Sequence, residues 1–160
     1  MEKMIDSELF GKIKLNEDGF TDDIVDRISG RVLMLDIFED VTGEENLLDI
    51  KAILDNYIEL DKQAKKYMLN ALNQREGTIQ YYYEFHKDEL FPELIERFGG
   101  GEYSDETLVS HTALANIWFS LDEGGVLATF DYKLLPEDSD EILAVRFDHF
   151  QKIIGVAHES

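Results

Sequence analysis

The spacing of apolar residues changes twice along this chain of 160 residues, and these changes constrain its fold more than any other feature. Apolar residues alternate singly near the start, recur at three- and four-residue steps through the middle, and alternate again in the last third. Single alternation is typical of strands, and the longer step is typical of helices. The order predicts an α+β fold in which a central block of helices packs on one face of a mostly antiparallel sheet.

The length suits one domain, and an apolar content of 44% is enough to fill its core. We therefore expect residues 1–160 to form a single domain. Near its start, residues 30–40 (GRVLMLDIFED) are apolar on both alternating sets, which predicts a central strand covered on both faces. The acids of residues 16–23 lack the regular spacing of a calcium loop, so we interpret them as turn residues.

Three helices are predicted before the last third of the chain. Thr42 and Glu45 have the spacing of a capping box, which starts a helix that continues to about residue 58. A second helix covers residues 61–73, and a third begins at residue 78 and carries His86 on its apolar side. The inward side chains expected in the first two are Leu47, Ile50, Leu54, Tyr57, Ile58, Ala64, Tyr67, Met68, Ala71 and Leu72.

Ion pairs at i and i+4 are expected between Asp61 and Lys65 and between Glu93 and Arg97. The second of these pairs belongs to a short helix that ends at residue 98. Residues 99–101 are three glycines that follow this helix. Phosphate loops lie between a strand and the following helix, so we interpret the glycines as a hinge.

The last third has the pattern of an antiparallel meander with turns at residues 124–125, 136–140 and 148–152. Trp118 lies on the more polar of the two alternating sets of its strand. It belongs to the core if helices cover that face, which is the preferred interpretation. If the face is uncovered, Trp118 is a candidate anchor for a protein partner.

The formal net charge of −20 limits the partners of this protein. A surface of that sign repels nucleic acid and anionic lipid and attracts basic proteins. The excess acids are spread along the chain rather than collected in a tail. Two interpretations remain open: the acidity serves a basic partner, or it only keeps the protein in solution.

Several functional classes lack the residues they need. Cysteine is absent, which excludes disulfides, thiol catalysis and thiolate metal sites. The four histidines have no spacing typical of a zinc site, and we expect His86 to be a buried structural residue rather than a base or a ligand. No apolar leader or membrane span is found, so the expected location is the cytoplasm. No cofactor or metal is predicted.

The densest acidic segment lies between two strands of the meander and contains Glu137, Asp138, Asp140 and Glu141. Asp131 and Asp148 lie on the neighbouring strands, so all six acids could converge at one edge of the sheet. Contact with a basic protein is the preferred hypothesis. The alternative is a metal-dependent or carboxylate-based enzyme that uses this edge, residues 131–148, with Mg²⁺ or Ca²⁺ as the ion and His86 as a possible helper.

Three segments follow one another in the chain: GRVLMLDIFED, a helical block with IELDKQAKKYML and IQYYYEFHKDEL, and VLATFDYKLLPEDSDEILAVRFDHFQKIIGVAHES. Their order resembles a family of small acidic bacterial proteins catalogued as a domain of unknown function. The specific part of the resemblance consists of Phe130, Asp131, Tyr132, Pro136, Asp140, Leu143, Val145, Phe147, Asp148, Glu159 and Ser160. The resemblance implies a cytosolic α+β domain and transfers no catalytic residue.

One departure from that family is the last turn, where residues 148–151 (DHFQ) replace a turn with glycine. In size and charge the chain also resembles immunity proteins that neutralise toxins. We therefore expect a non-enzymatic protein-interaction module that binds a basic partner, with toxin neutralisation as its concrete version. The candidate partner-binding residues are Trp118, Asp131, Glu137, Asp138, Asp140 and Glu141.

Overall fold

The computed structural model describes residues 3–74, 77–99 and 103–160. The strands are β1 (Lys3–Ser7), β2 (Gly11–Leu15), β3 (Phe20–Val25), β4 (Val32–Ile37), β5 (Ala113–Phe119), β6 (Val126–Lys133), β7 (Ile142–Asp148) and β8 (Ile153–Glu159). The helices are α1 (Glu44–Asp55), α2 (Tyr57–Asn73), α3 (Gly77–Glu89), α4 (Phe91–Phe98) and α5 (Asp105–His111). The predicted α+β class is confirmed.

The strands form a two-stranded sheet, β1 with β2, and a six-stranded sheet that runs from β3 to β8 in sequence order. Neighbouring strands of the large sheet are antiparallel except β4 and β5, which are parallel. A parallel pair needs a long crossover, and α1 to α5 form it. The helical block predicted in the middle of the chain is thus the connection between the parallel neighbours β4 and β5.

One face of the six-stranded sheet packs into the core with the helices. Its buried side chains are Leu33, Leu35, Ile37, Ile117, Phe119, Phe130, Tyr132, Leu143, Val145 and Phe147. They belong to the same buried cluster as Ile50 and Leu54 of α1, Met68 of α2 and Tyr83 of α3. Burial of this apolar surface is the main favourable contribution to folding.

The prediction that residues 30–40 form a strand is confirmed, but the prediction that both faces of this strand are covered is wrong. β4 is central, between β3 and β5, but only one of its faces is buried. Val32 and Met34, on the other face, are 56% and 40% exposed. The helices cover one side of the sheet, so the second apolar set of this strand has no cover in the described part of the chain.

A β-bulge in β5 changes the face on which its side chains lie. The pairing with β6 shifts between Leu114 and Asn116, so that Leu114 and Ile117 both reach the core although they are three positions apart. The bulge thus breaks the regular alternation that the sequence pattern predicts for this strand, with Ala113 exposed and Leu114 buried. Beyond the bulge, Trp118 lies on the face opposite the core, in contrast to the preferred core interpretation.

The predicted helix starts and ends need three corrections. The capping box does not form: Gly43 caps α1, and the Thr42 hydroxyl donates to the carbonyl of Glu39 instead. The first two helices meet at Asn56 rather than near residue 60. Sequence spacing also missed α5, a short helix that Ser104 caps by accepting from the Thr107 amide.

Two side chains that we predicted to point into the core are exposed. The ion pairs predicted within single helices do not form, and Asp61 and Arg97 pair instead with residues distant in the sequence. Ile58 and Tyr67 are 44% and 43% exposed. Asp61 accepts from Arg31 and from the buried Tyr132. Of the predicted glycine hinge, Gly99 adopts a positive φ of 87°, and residues 100 and 101 lie outside the described residues.

The last turn has a residue in the conformation that glycine favours. Gln151 adopts a φ of 64°, between β7 and β8, and its side chain accepts from the Asn56 side chain. Asp148 stabilises the turn by accepting from the amides of Phe150 and Lys152. The turn keeps its shape without glycine because these local hydrogen bonds offset the cost of the left-handed backbone.

A buried carboxylate links the start of the sheet to the helices. Asp26 is fully buried and accepts a hydrogen bond of 2.5 Å from the Tyr57 hydroxyl, and it also accepts from the amides of Ile28 and Ser29. Burial raises the pKa of Asp26, but these hydrogen bonds outweigh burial and hold the pKa below its usual value of 3.8. The ionised form is therefore the native form at neutral pH.

Tyr57→Phe should lower the free energy of unfolding by about 1–3 kcal/mol at neutral pH, because a buried carboxylate loses a donor. The loss should shrink as the pH falls through the lowered pKa of Asp26, where the carboxylate becomes protonated. Urea unfolding monitored by circular dichroism measures both effects. Tyr67→Phe, at an exposed position of the same helix, is the control, and an equal effect of the two substitutions would contradict the assignment.

Candidate functional site

The face of the six-stranded sheet opposite the core carries a row of exposed apolar side chains. Val32, Met34 and Phe38 follow one another along β4 and just beyond it, and Phe38 is 47% exposed. Val25 lies opposite Val32 on the edge strand β3 and is 50% exposed. We call this surface the open face, and its side chains are Asp23, Val25, Val32, Met34, Asp36, Phe38, Asn116, Trp118, Thr129, Asp131, Lys133 and Arg146.

Trp118 lies at the centre of the open face. Its ring stacks on the ring of Phe38 with centroids 5.6 Å apart and an angle of 29° between the planes. Register places Trp118 beside Asp36 on one side and Thr129 on the other. Large aromatic side chains with partial exposure are the most frequent anchors of protein interfaces. The structure therefore favours the second of the two interpretations of this tryptophan.

The indole of Trp118 donates from Nε1 to Asp131, over a distance of 3.3 Å. The Asn116 amide donates to the other oxygen of Asp131 over 3.4 Å. Burial raises the pKa of Asp131 above its usual value, although these two hydrogen bonds and the charge of Lys133 lower it in part. No cation of the described ranges forms an ion pair with this carboxylate within 4 Å. A cation from outside would offset the cost of its burial.

Two other polar atoms of the open face lack a partner in the described part of the chain. Oδ1 of Asn116 and Nε of Arg146 are buried from solvent, and neither forms a hydrogen bond there. Arg146 uses its terminal nitrogen to pair with Glu159 over 3.4 Å. Buried polar atoms without partners are costly, and a bound molecule that supplied the missing partners would remove that cost.

Carboxylates outnumber cations on this face. Asp23 pairs in register with Met34, and Asp36 with Trp118, so both acids lie on the same side as the aromatic rings. The cations on this side in the described residues are Lys133 and Arg146. The open face is thus an apolar and aromatic surface with an acidic surround.

The acidic loop between β6 and β7 lies at a different place. Glu137 pairs with Arg97 of α4 over 2.9 Å, and Asp138 and Asp140 are exposed. Glu141 accepts from His158 of β8 over 2.7 Å. The loop thus lies at the start of β7, between the helices and the sheet.

The six acids predicted to converge are divided among three places. Asp131 pairs in register with Ala144 in the middle of β7, whereas Asp148 is at the far end of that strand, in its own turn. The four loop acids lie before its first residue. No group of three or more histidine or acidic side chains in the described ranges has a geometry that would hold a metal ion.

His86 is fully buried and connects α3 to the acidic loop. Its Nδ1 lies 2.8 Å from the carbonyl of Tyr82, and its Nε2 lies 2.9 Å from the hydroxyl of Ser139. A carbonyl only accepts, so Nδ1 carries the proton and Nε2 accepts from Ser139. Burial lowers the pKa of His86. The neutral ring is therefore a structural link that fixes the loop, as predicted for this histidine.

A groove with a volume of 630 Å³ lies between α2, α3 and β8. Its lining includes Tyr67, Asn70, Gln74, Thr78 and Val156. None of the partner-binding residues predicted from the sequence lines this groove, and it carries no charged side chain among its described lining residues.

Sequence reasoning named Trp118 and Asp131 and missed the side chains that complete their surroundings. Asp36, Phe38 and Asn116 come from strands whose pairing was not predicted, because the parallel contact of β4 with β5 brings them together. The sequence did contain one indication of the open face. Both alternating groups of side chains in residues 30–40 are apolar, and the group that is not buried in the core forms much of the open face.

Comparisons of the chain with protein-family models, with curated proteins and with solved structures gave no match. Among the helices in the described ranges, none is both long enough and apolar enough to cross a membrane.

Asp131→Asn should leave the melting temperature unchanged or raise it at neutral pH, because the substitution removes a charge whose burial is costly. The raised pKa means that the folded state holds the proton more tightly than the unfolded chain does. The wild type should therefore gain stability relative to the variant as the pH falls toward that pKa. Thermal melts of both proteins across the acid range measure this difference. A large loss of stability at neutral pH would contradict it.

The wild type should lose stability as the pH falls below 6.5, the usual pKa of histidine, because the folded state resists protonation of His86. His86→Gln removes this titration, so its melting temperature should fall less steeply with pH. His111→Gln, at an exposed position, should keep the slope of the wild type. Equal slopes for all three proteins would show that His86 is not held in the neutral form.

Proposed function

We propose that this protein is a non-enzymatic binding module that holds a basic protein partner on the open face of its six-stranded sheet. The observation that carries the proposal is the uncovered apolar row of β4, with Val32, Met34 and Phe38 between 40% and 56% exposed. Exposed apolar surface bordered by polar residues is typical of protein interfaces. The stacked rings of Phe38 and Trp118 supply the anchor that such interfaces need.

The charge of the surface selects the partner. Asp23, Asp36 and Asp131 surround the apolar row, and the whole chain carries a net charge of −20. A basic protein would be attracted over long range, and its cations would find carboxylates next to the rings. A second copy of the same chain would bring a like charge against these acids, which disfavours self-association through this face.

The concrete version of the proposal is neutralisation of a basic toxin in the cytoplasm of a bacterium. The size and the net charge of the chain support it. Binding alone would be sufficient for this role, since a protein that covers a toxin surface needs no catalytic residue. We do not propose an enzyme at residues 131–148, because the acids it would use lie in three separate places.

The acidic loop is the competing surface for the same partner. It contains four of the predicted binding residues, namely Glu137, Asp138, Asp140 and Glu141. Two of these carboxylates already have cationic or histidine partners within the chain, Glu137 with Arg97 and Glu141 with His158. The loop also lacks the stacked aromatic pair of Phe38 and Trp118 that the open face provides. These differences favour the open face.

Three single charge reversals distinguish the open face from the acidic loop as the binding surface. Each changes the net charge by the same amount, so a difference in binding reports the position of the substitution. Asp36→Lys alters the open face, Asp140→Lys alters the acidic loop, and Asp88→Lys alters an exposed position of α3. Binding of the partner captured from native lysate is then measured for each purified variant. We expect Asp36→Lys to weaken binding by about tenfold or more, and the other two to weaken it by no more than about twofold.

Binding should also weaken as salt is added, because screening acts over about 8 Å at physiological ionic strength. The weakening should come mainly from a slower association rate. If Asp140→Lys reduces binding most, the acidic loop is the interface instead. If the three variants behave alike or binding ignores salt, the acidity serves solubility and the proposal is wrong.

A further inference from the structure

Two carboxylates of the open face share one donor. The amide nitrogen of Asn116 lies 3.5 Å from an oxygen of Asp36 and 3.4 Å from an oxygen of Asp131. Both distances are at the long limit of a hydrogen bond, so each contact is weak. The carboxylates are thus held close together with acceptor capacity left over, and no cation of the described ranges pairs with either.

An aromatic pair borders these carboxylates. Trp118 pairs in register with Asp36 and donates to Asp131, so its indole is next to both acids. The ring of Phe38 stacks on the indole with centroids 5.6 Å apart. The faces of aromatic rings attract cations, and tryptophan does so most strongly.

The two cations of the open face do not fill this position. Arg146 lies across Thr129 from Trp118 and pairs with Glu159 at the β8 side. Lys133 lies two residues from Asp131 on the same face of β6 and pairs in register with Ala113, and it forms no ion pair with Asp131 within 4 Å. The surroundings of Asp36, Asp131 and the indole are thus acidic and aromatic, and Arg146 and Lys133 lie at their borders.

We propose that the open face recognises an arginine side chain of the partner, with the guanidinium group between Asp36 and Asp131 and its plane against Trp118. This inference rests on the proposed function and specifies the partner. A guanidinium group has five N–H donors in a planar fork and stacks on aromatic rings, so it can serve two carboxylates and the indole together. A lysine ammonium group is a strongly hydrated point charge and matches this arrangement less well.

The test uses the fact that Trp118 is the single tryptophan of the chain, so its fluorescence reports on this site alone. The full-length protein is titrated at physiological salt with hexa-arginine and with hexa-lysine, peptides of equal charge. We expect both to change the emission of Trp118, with hexa-arginine binding about threefold or more tightly. Asp131→Asn should weaken hexa-arginine by about tenfold and abolish the preference.

Asp36→Asn is the second variant and should give the same result as Asp131→Asn. Agreement between the two variants would show that neither effect is indirect. Asp88→Asn, on α3, removes the same charge away from the site and is the control, so it should keep the preference for arginine. Circular dichroism of each variant verifies that it is folded.

Two results would overturn the inference, and they differ in what they say about the proposed function. If the two peptides bind equally, and both are weakened more by Asp131→Asn than by Asp88→Asn, the open face binds cations without selecting arginine. The proposed function then survives and the arginine site does not. If Asp131→Asn and Asp88→Asn have equal effects, or the emission of Trp118 does not change, both are wrong.

Discussion

The central strand β4 has two apolar faces, and the fold covers only one of them. Its inner set, with Leu33 and Leu35, is part of the core beneath the helices. Its outer set, with Val32 and Met34, remains partly exposed. The crossover helices pack on the inner side of the sheet. In the described part of the chain the outer side of this strand is uncovered, and the functional proposal depends on it.

Several polar side chains of that face lack some of their hydrogen-bond or ion-pair partners in the described ranges. Asp131 is mostly buried without an ion pair in the described ranges, and buried atoms of Asn116 and Arg146 lack hydrogen bonds there. Such arrangements cost stability in the isolated protein. A partner that supplied a cation and donors would convert this cost into affinity. His86 shows the contrast, because both nitrogens of its buried ring have partners and it needs nothing further.

Local patterns in the sequence predicted the fold class, the strands of the last third and the apolar side of α3, since these depend on residue spacing alone. The parallel contact between β4 and β5 was not predicted, because it joins residues about eighty positions apart that no local pattern links. The bulge at Leu114 and Asn116 was missed for a related reason: it breaks the alternation on which strand prediction relies. Together these two features decide that Trp118 and Asp131 lie beside Asp36 and Phe38.

The central claim is that Trp118 lies on an accessible and acidic surface of the free protein, and collisional quenching of its fluorescence tests this most directly. The cation Cs⁺ and the anion I⁻ are compared at equal ionic strength, with neutral acrylamide as the reference. We expect acrylamide to quench the emission and Cs⁺ to be clearly more effective than I⁻, because the surrounding carboxylates concentrate cations. Protection from all three quenchers would place the tryptophan in the core, and stronger quenching by I⁻ would contradict the acidic surface.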